Sequence, residues 1–264
     1  MRAYGRVAAA AFRQYATYRM ATAAGVFTNT IFGFIKVSIL LAAIRLSGGE
    51  LNGYTALQAA TYAWLGQAML APIEAFGTRL IGDRVHSGDI AIDLLRPARF
   101  LGVQYAQKLG RSGFLLLARG IPPLVIGGLV TGLDLPDGPL SYLLGLLSLV
   151  LAITVAFLCD LMINLLAFWI ISMRGIQTVY MGVMNLLSGF LIPIVWFPDW
   201  LLTLARCTPF PSMVQTPIDT LSGRIPPAEA LPLIAIQVLW MAVLALGAWA
   251  MMRAGTRSLE VQGG

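Results

Sequence analysis

Six stretches of this chain are each long and apolar enough to cross a hydrocarbon layer, and that leaves few folds open. They run from Met20 to Ile44, Tyr54 to Thr78, Ser112 to Leu133, Leu140 to Ile171, Ile176 to Phe197 and Ala230 to Met252. A hydrocarbon core of about 30 Å needs roughly 20 helical residues to span it. Transmembrane barrels require apolar and polar residues in alternation. These runs do not alternate, so they are expected to be helices. The fourth is too long for an untilted span, and part of it is expected to project or bend. Of the 264 residues 58% are hydrophobic and only 11% charged, too few charges to cover a water-facing surface. The expected fold is an all-α membrane protein of six transmembrane helices, a single domain over residues 1–264.

Orientation follows from the Lys and Arg residues outside the spans, which concentrate on the cytoplasmic side. One side holds Arg2, Arg6, Arg13, Arg19, Arg79, Arg84, Arg96, Arg99, Lys108, Arg111, Arg174, Arg253 and Arg257. The other holds Arg45, Arg206 and Arg224 together with Glu50, Asp134, Asp137, Asp199, Asp219 and Glu229. The first side is expected to be cytoplasmic and to carry both termini. The net charge of +6 is thereby accounted for by basic loops, with no nucleic-acid partner implied. Met1-Arg2-Ala3-Tyr4 begins no signal-peptide pattern. Cys159 sits in an apolar run and Cys207 in a loop, so no disulfide between them and no metal cluster are expected.

Three segments between the spans are more than connectors. In residues 2–19, at about 100° per residue, Arg2, Arg6 and Arg13 share a narrow sector, with Tyr4, Val7, Ala11, Tyr15 and Tyr18 nearly opposite. This is an amphipathic helix suited to the cytoplasmic interface, its arginines toward anionic lipid headgroups. In the loop of residues 82–97, Asp89 can cap a short helix that Pro97 limits. Ile90 and Leu94 share one face of that helix, and Asp89, Asp93 and Arg96 another. One apolar and one charged face suit docking to a soluble partner, and the acids disfavour anionic lipid. The external segment 198–229 combines six prolines with Trp200, Leu201, Leu202, Leu204, Phe210 and Met213. Too apolar for water, it is expected to form short interfacial or re-entrant helices.

The chain carries few residues suited to catalysis. No GxxxxGK[ST] phosphate loop exists, so the chain cannot hydrolyse ATP by that mechanism. His86 is the only histidine and lies in a cytoplasmic loop, which rules out an intramembrane Ser-His dyad. No zinc motif and no paired-carboxylate site appears, and the chain is not expected to be an enzyme. Ionisable residues inside spans carry a functional hypothesis by default. They are Lys36, Glu74, Arg119 and Asp160, with Asn164 one turn beyond Asp160 on the same face. Mutual pairing, or pairing with a second subunit, would offset their burial. A proton or ion relay would need several along one path, as in an ion-coupled secondary transporter.

The run Ser87-Gly88-Asp89-Ile90-Ala91-Ile92-Asp93-Leu94-Leu95-Arg96-Pro97 resembles the GxIxxxLLRP loop of ABC exporter permeases of the drug and polysaccharide export superfamily. Tyr18-Arg19, the stretch from Pro209-Phe210 to Gly223, and the ending Glu260-Val261-Gln262-Gly263-Gly264 are similar to one permease branch with a VQGG-like tail. The resemblance covers the whole chain. It implies a half-transporter in a bacterial-type plasma membrane. Two permeases, identical or homologous, would bind two copies of a cytoplasmic ATPase that holds ATP and magnesium, while this chain binds no cofactor. Residues 2–19 would be the connecting helix, with Arg2, Arg6, Arg13 and Tyr15 as its anchor. Asp89, Ile90, Asp93, Leu94 and Arg96 would form the coupling helix that meets the ATPase, and 198–229 would close the outward exit. A hydrophobic or amphipathic drug, antibiotic or lipid is the implied export substrate. The rivals are the secondary transporter, a membrane enzyme, and a passive scaffold.

Overall fold

The computed structural model describes residues 2–74, 80–86, 97–170 and 172–262. Helix α1 (Arg2–Ala16) leads into the long α2 (Arg19–Leu46). A two-residue hairpin follows, β1 (Glu50–Leu51) pairing antiparallel with β2 (Tyr54–Thr55). Its turn is Asn52-Gly53, with φ of 47° and 79°, the left-handed pair that matches the twist of a tight hairpin. Helix α3 (Ala56–Leu70) begins in a capping box, the Thr55 hydroxyl accepting from the Gln58 amide while the Gln58 side chain accepts from the Thr55 amide. After α4 (Leu80–His86), helix α5 (Pro97–Leu115) passes through a π turn at Leu116–Gly120 into α6 (Ile121–Thr131).

The π turn has a sequence cause. Pro122 and Pro123 lack the amide hydrogens that would bond the carbonyls of Ala118 and Arg119. The Arg119 carbonyl instead accepts from Asn29 Nδ2 of α2 at 3.2 Å. The chain continues through α7 (Pro139–Leu165), a 3₁₀ turn at Leu166–Phe168, and α8 (Arg174–Leu187). Short elements follow: a 3₁₀ turn at Ile194–Trp196, α9 (Asp199–Arg206), another 3₁₀ turn at Phe210–Ser212, and α10 (Gln215–Leu221). The last helix is α11 (Pro227–Gln262).

Among the described residues four helices are long and apolar enough to cross a membrane, at 19–46, 100–131, 139–168 and 227–257. The expected second and fifth spans are shorter than their apolar runs. Helix α3 has 15 residues and α8 has 14, about 22 Å each at 1.5 Å per residue. Pro72 stops α3, and α8 ends before Gly189, whose φ is +85°. The third expected span errs the other way, since its helix starts at Pro97 rather than Ser112. Polar residues of that extension are accommodated because α1 lies along α5. A methyl group at Gly110 would overlap the Ala8 backbone, and Phe12 meets Phe114 edge-on at 5.4 Å.

Helix α3 is the centre of the bundle. Every residue from Ala59 to Met69 is buried, and Trp64 is wholly so. Trp64 lies against Gly33 of α2 and Gly127 of α6, where only glycine leaves room for an indole. Helix α11 runs along α7, and α10 bridges α7 to α3. Outward faces are apolar: Phe27, Ile31, Ile35 and Ile39 recur every four residues along α2, and all are exposed. Such a stripe needs lipid or another apolar surface as its solvent.

Candidate functional site

The described residues line an open cavity of about 1010 Å³ between α1, α2, α3, α5 and the π turn, reaching Phe190. Its walls are mainly apolar, with Phe32, Leu70, Phe114 and Leu115 among them. Its polar groups include Asn29 on α2, Gln67 on α3 and Arg119 on the π turn, which lie together, and Tyr15, Glu74 and Arg111 at another part of the wall. Asn29 Nδ2 donates to the Gln67 carbonyl at 3.0 Å as well as to that of Arg119, which pins the three strands of chain together. Asn29 Oδ1 and Gln67 Oε1 are buried without a hydrogen-bond partner among the described residues. The Arg119 side chain lies over Gly25, where an added methyl group would overlap the guanidinium. It forms no ion pair within the described residues and stays half-buried on the cavity wall.

The end of the cavity nearest α1 is closed by a charge cluster. Glu74 takes Lys108 Nζ at 2.7 Å and also pairs with the Arg111 guanidinium. All three are largely buried, with 12%, 6% and 14% of their side chains exposed, so each depends on the others. Arg111 in turn donates to the Tyr15 hydroxyl at 3.0 Å and lies over its ring. Helix α1 is therefore tied to the end of α3 through α5. Glu74 occupies the left-handed region at φ +56°, uncommon for a residue with a side chain. Nearby, Ser112 donates to the Pro72 carbonyl at 2.7 Å, holding the stop of α3 against α5.

At the hairpin end lies a second buried network. Arg224 Nε and Nη2 each reach one oxygen of Asp219 at 2.7 Å, a two-pronged pair. Asp219 also accepts from the Tyr54 hydroxyl at 3.0 Å and from Gln215 Nε2 at 2.8 Å. Gln215 Oε1 accepts from the Ile194 amide at 3.0 Å and lies 2.7 Å from the Tyr62 hydroxyl. Tyr62 reaches the Gly189 carbonyl at 2.6 Å, and a side chain at Gly189 would strike both that hydroxyl and Gln215. Trp196 Nε1 donates to the Leu51 carbonyl. Residues 188–224 are thus fastened onto α3 and the hairpin by polar contacts that exclude solvent.

The sequence-predicted sites fare unequally. Glu74 belongs to the charge cluster and Arg119 to the cavity. Lys36 points elsewhere, donating to the Phe190 carbonyl with its ammonium 4.7 Å from that ring. Asp160 and Asn164 lie near α4: Asn164 Oδ1 accepts from the Gly82 amide at 3.0 Å, and its Nδ2 donates to the Asp160 carbonyl at 2.8 Å. Arg6 and Arg13 are exposed, while Tyr15 is drawn inward by Arg111. The side chain of Arg2 and all of Asp89, Ile90, Asp93, Leu94 and Arg96 lie outside the described residues. Missed from the sequence were Tyr54, Tyr62, Gln215 and the pairing of Asp219 with Arg224. Gln215 four residues before Asp219 and Arg224 five after it were a visible local signal, whereas Tyr54 and Tyr62 lie far off in sequence. Cys159 and Cys207 are both free thiols.

Residues 27–263 match the family described as ABC-2 family transporter protein, nearly the whole chain. The chain belongs to that family. No curated protein and no solved structure matches it.

Proposed function

We propose that this ABC-2 family protein is the transmembrane half of an ATP-driven exporter. Membership makes it the membrane permease component of an ABC transporter, working with a cytoplasmic ABC ATPase. The finer reading concerns cargo and direction. A hydrophobic or amphipathic substrate enters from the cytoplasm or inner leaflet and leaves outward, while a separate subunit hydrolyses ATP. The cavity of about 1010 Å³ carries this reading: it is large and its wall is mostly apolar, with polar groups the smaller part of the surface, as in ligand sites of that class.

The rest of the arrangement fits the same cycle. Two ATPase copies close on ATP, and the segment around Asp89, Ile90, Asp93, Leu94 and Arg96 passes their movement to the membrane helices. Helix α1, bonded to α3 and α5 through Arg111 and Glu74, moves with them. The fastened segment 188–224 forms the outer closure that export must open. A second permease, identical or homologous, covers the apolar stripe of α2. The two short helices α3 and α8 complete six membrane segments, with both termini on the cytoplasmic side of a bacterial-type plasma membrane. An ion-coupled cycle through Lys36, Glu74, Arg119 and Asp160 has less support, since Glu74 is saturated by cations and Lys36 by a carbonyl.

The deciding experiment is purification of the tagged chain from its native membrane. The proposal predicts an ATPase in the complex and substrate movement in vesicles that stops without nucleotide. Movement driven by a proton or sodium gradient alone would overturn it.

A further inference from the structure

Arg119 is the one charged group on the cavity wall that the described residues leave without a counter-ion. Lys36 is bonded to a carbonyl, and Lys108 and Arg111 share Glu74. A cation at membrane depth without a partner is costly unless it meets water or a ligand. The fold nevertheless makes room for it. Gly25 supplies the groove in which the guanidinium rests, and the π turn that sets its direction follows from Pro122 and Pro123. Beside it, the buried amide oxygens of Asn29 and Gln67 lack donors. The rest of the wall is mostly apolar and includes Phe32 and Phe190. Among the charged residues that line the cavity Glu74 offsets Arg111, so Arg119 leaves the wall net positive.

We infer that this cavity binds an anionic amphiphile, its phosphate or carboxylate on the Arg119 guanidinium, a hydroxyl of its head on the Asn29 and Gln67 oxygens, and its tail along the aromatic wall. The inference rests on the exporter reading only for the fate of the ligand. Binding itself requires neither nucleotide nor transport. A guanidinium suits this task because its planar fork offers paired donors to an oxyanion. The source of the ligand is either the bilayer or an exported solute, and the chemistry recognised is the same.

The test is equilibrium binding of tritiated lysophosphatidylglycerol to the full chain in phosphatidylcholine nanodiscs, without nucleotide. Expected is binding at least tenfold tighter than that of the monoacylglycerol with the same tail, with glycerol phosphate alone a poor competitor. Arg119→Gln should weaken binding about tenfold to a hundredfold, the range for hydrogen bonds to charged groups, and Arg119→Lys should restore part of it. Gly25→Ala, which displaces only the end of a flexible side chain, should weaken binding while leaving the protein folded. Displacement by phosphatidylglycerol in the disc assigns the site to a membrane lipid, and resistance to it assigns the site to a solute; the anion site stands in both. Equal affinity for the neutral lipid, or unchanged affinity in both Arg119→Gln and Gly25→Ala, would overturn the inference. If binding behaves as expected but ATP drives no transport, the exporter reading fails alone.

Discussion

Removing the Asp219 carboxylate should loosen the fastening of residues 188–224 onto α3 and the hairpin by an amount that can be worked from its contacts. Its side chain is 5% exposed and that of Arg224 is 18% exposed, so both charges are largely out of water. Asp219→Ala deletes the two-pronged pair and leaves Arg224 with only the Tyr54 ring, 4.7 Å from its guanidinium carbon. It also strips acceptors from Tyr54 and Gln215. Breaking a buried pair from one side costs about 3–5 kcal/mol, because the remaining charge stays buried and unpaired. Arg224→Ala should cost less, about 2–3 kcal/mol, since the carboxylate keeps two donors worth about 1.5 kcal/mol or more each. The double variant leaves no orphaned charge and should cost well under the sum, with a coupling of about 1.5 kcal/mol or more. Unfolding in mixed micelles, read by tryptophan fluorescence, gives all three values from midpoint shifts at constant slope. Strict additivity, or a cost below about 1 kcal/mol for Asp219→Ala, would refute the reasoning.

The remaining predictions concern the other end of the molecule. Glu74→Gln removes the carboxylate that Lys108 and Arg111 share, and should lower stability by about 3 kcal/mol in the same unfolding measurement. Gly110→Leu drives a side chain into the Ala8 backbone, so limited proteolysis should cut within α1 many times faster than in the wild type. Charge reversal at Asp93 and Arg96 should reduce substrate-stimulated ATP hydrolysis by the complex without lowering the amount of protein in the membrane. Unchanged stimulation in vesicles would count against docking at that segment.

The helical membrane class was legible from run length alone, because apolar runs that long have no other stable home. Helix ends were not. Runs two and five are apolar throughout, yet their helices stop short at Pro72 and ahead of Gly189, where backbone chemistry overrides hydrophobicity. The start of the third helix was hidden because Lys108 and Arg111 read as loop residues, and only the tertiary pairing with Glu74 makes them tolerable inside a packed helix. Helix α1 was recognised from the angular separation of its arginines from its apolar residues. Its seat on α5 was not, since small residues such as Ala8 and Gly110 give no amphipathic signal. Arg119 was singled out as a charge in a span, but its position over Gly25 depends on a π turn that periodicity cannot register. The hairpin is written in Leu51-Asn52-Gly53-Tyr54, but two-residue strands carry too short an alternation to stand out beside an apolar run. Distant pairs such as Tyr54 with Asp219 join residues 165 apart, and no local pattern announces them.

The central claim is that this chain moves substrate only when a separate ATPase drives it. The most direct measurement is transport of a labelled amphiphile into sealed inside-out vesicles containing the complex as purified from its native membrane. Accumulation should require ATP, stop when the ATPase subunit is stripped away, and persist when proton and sodium gradients are collapsed. Accumulation that survives loss of the ATPase and follows an ion gradient instead would contradict the account.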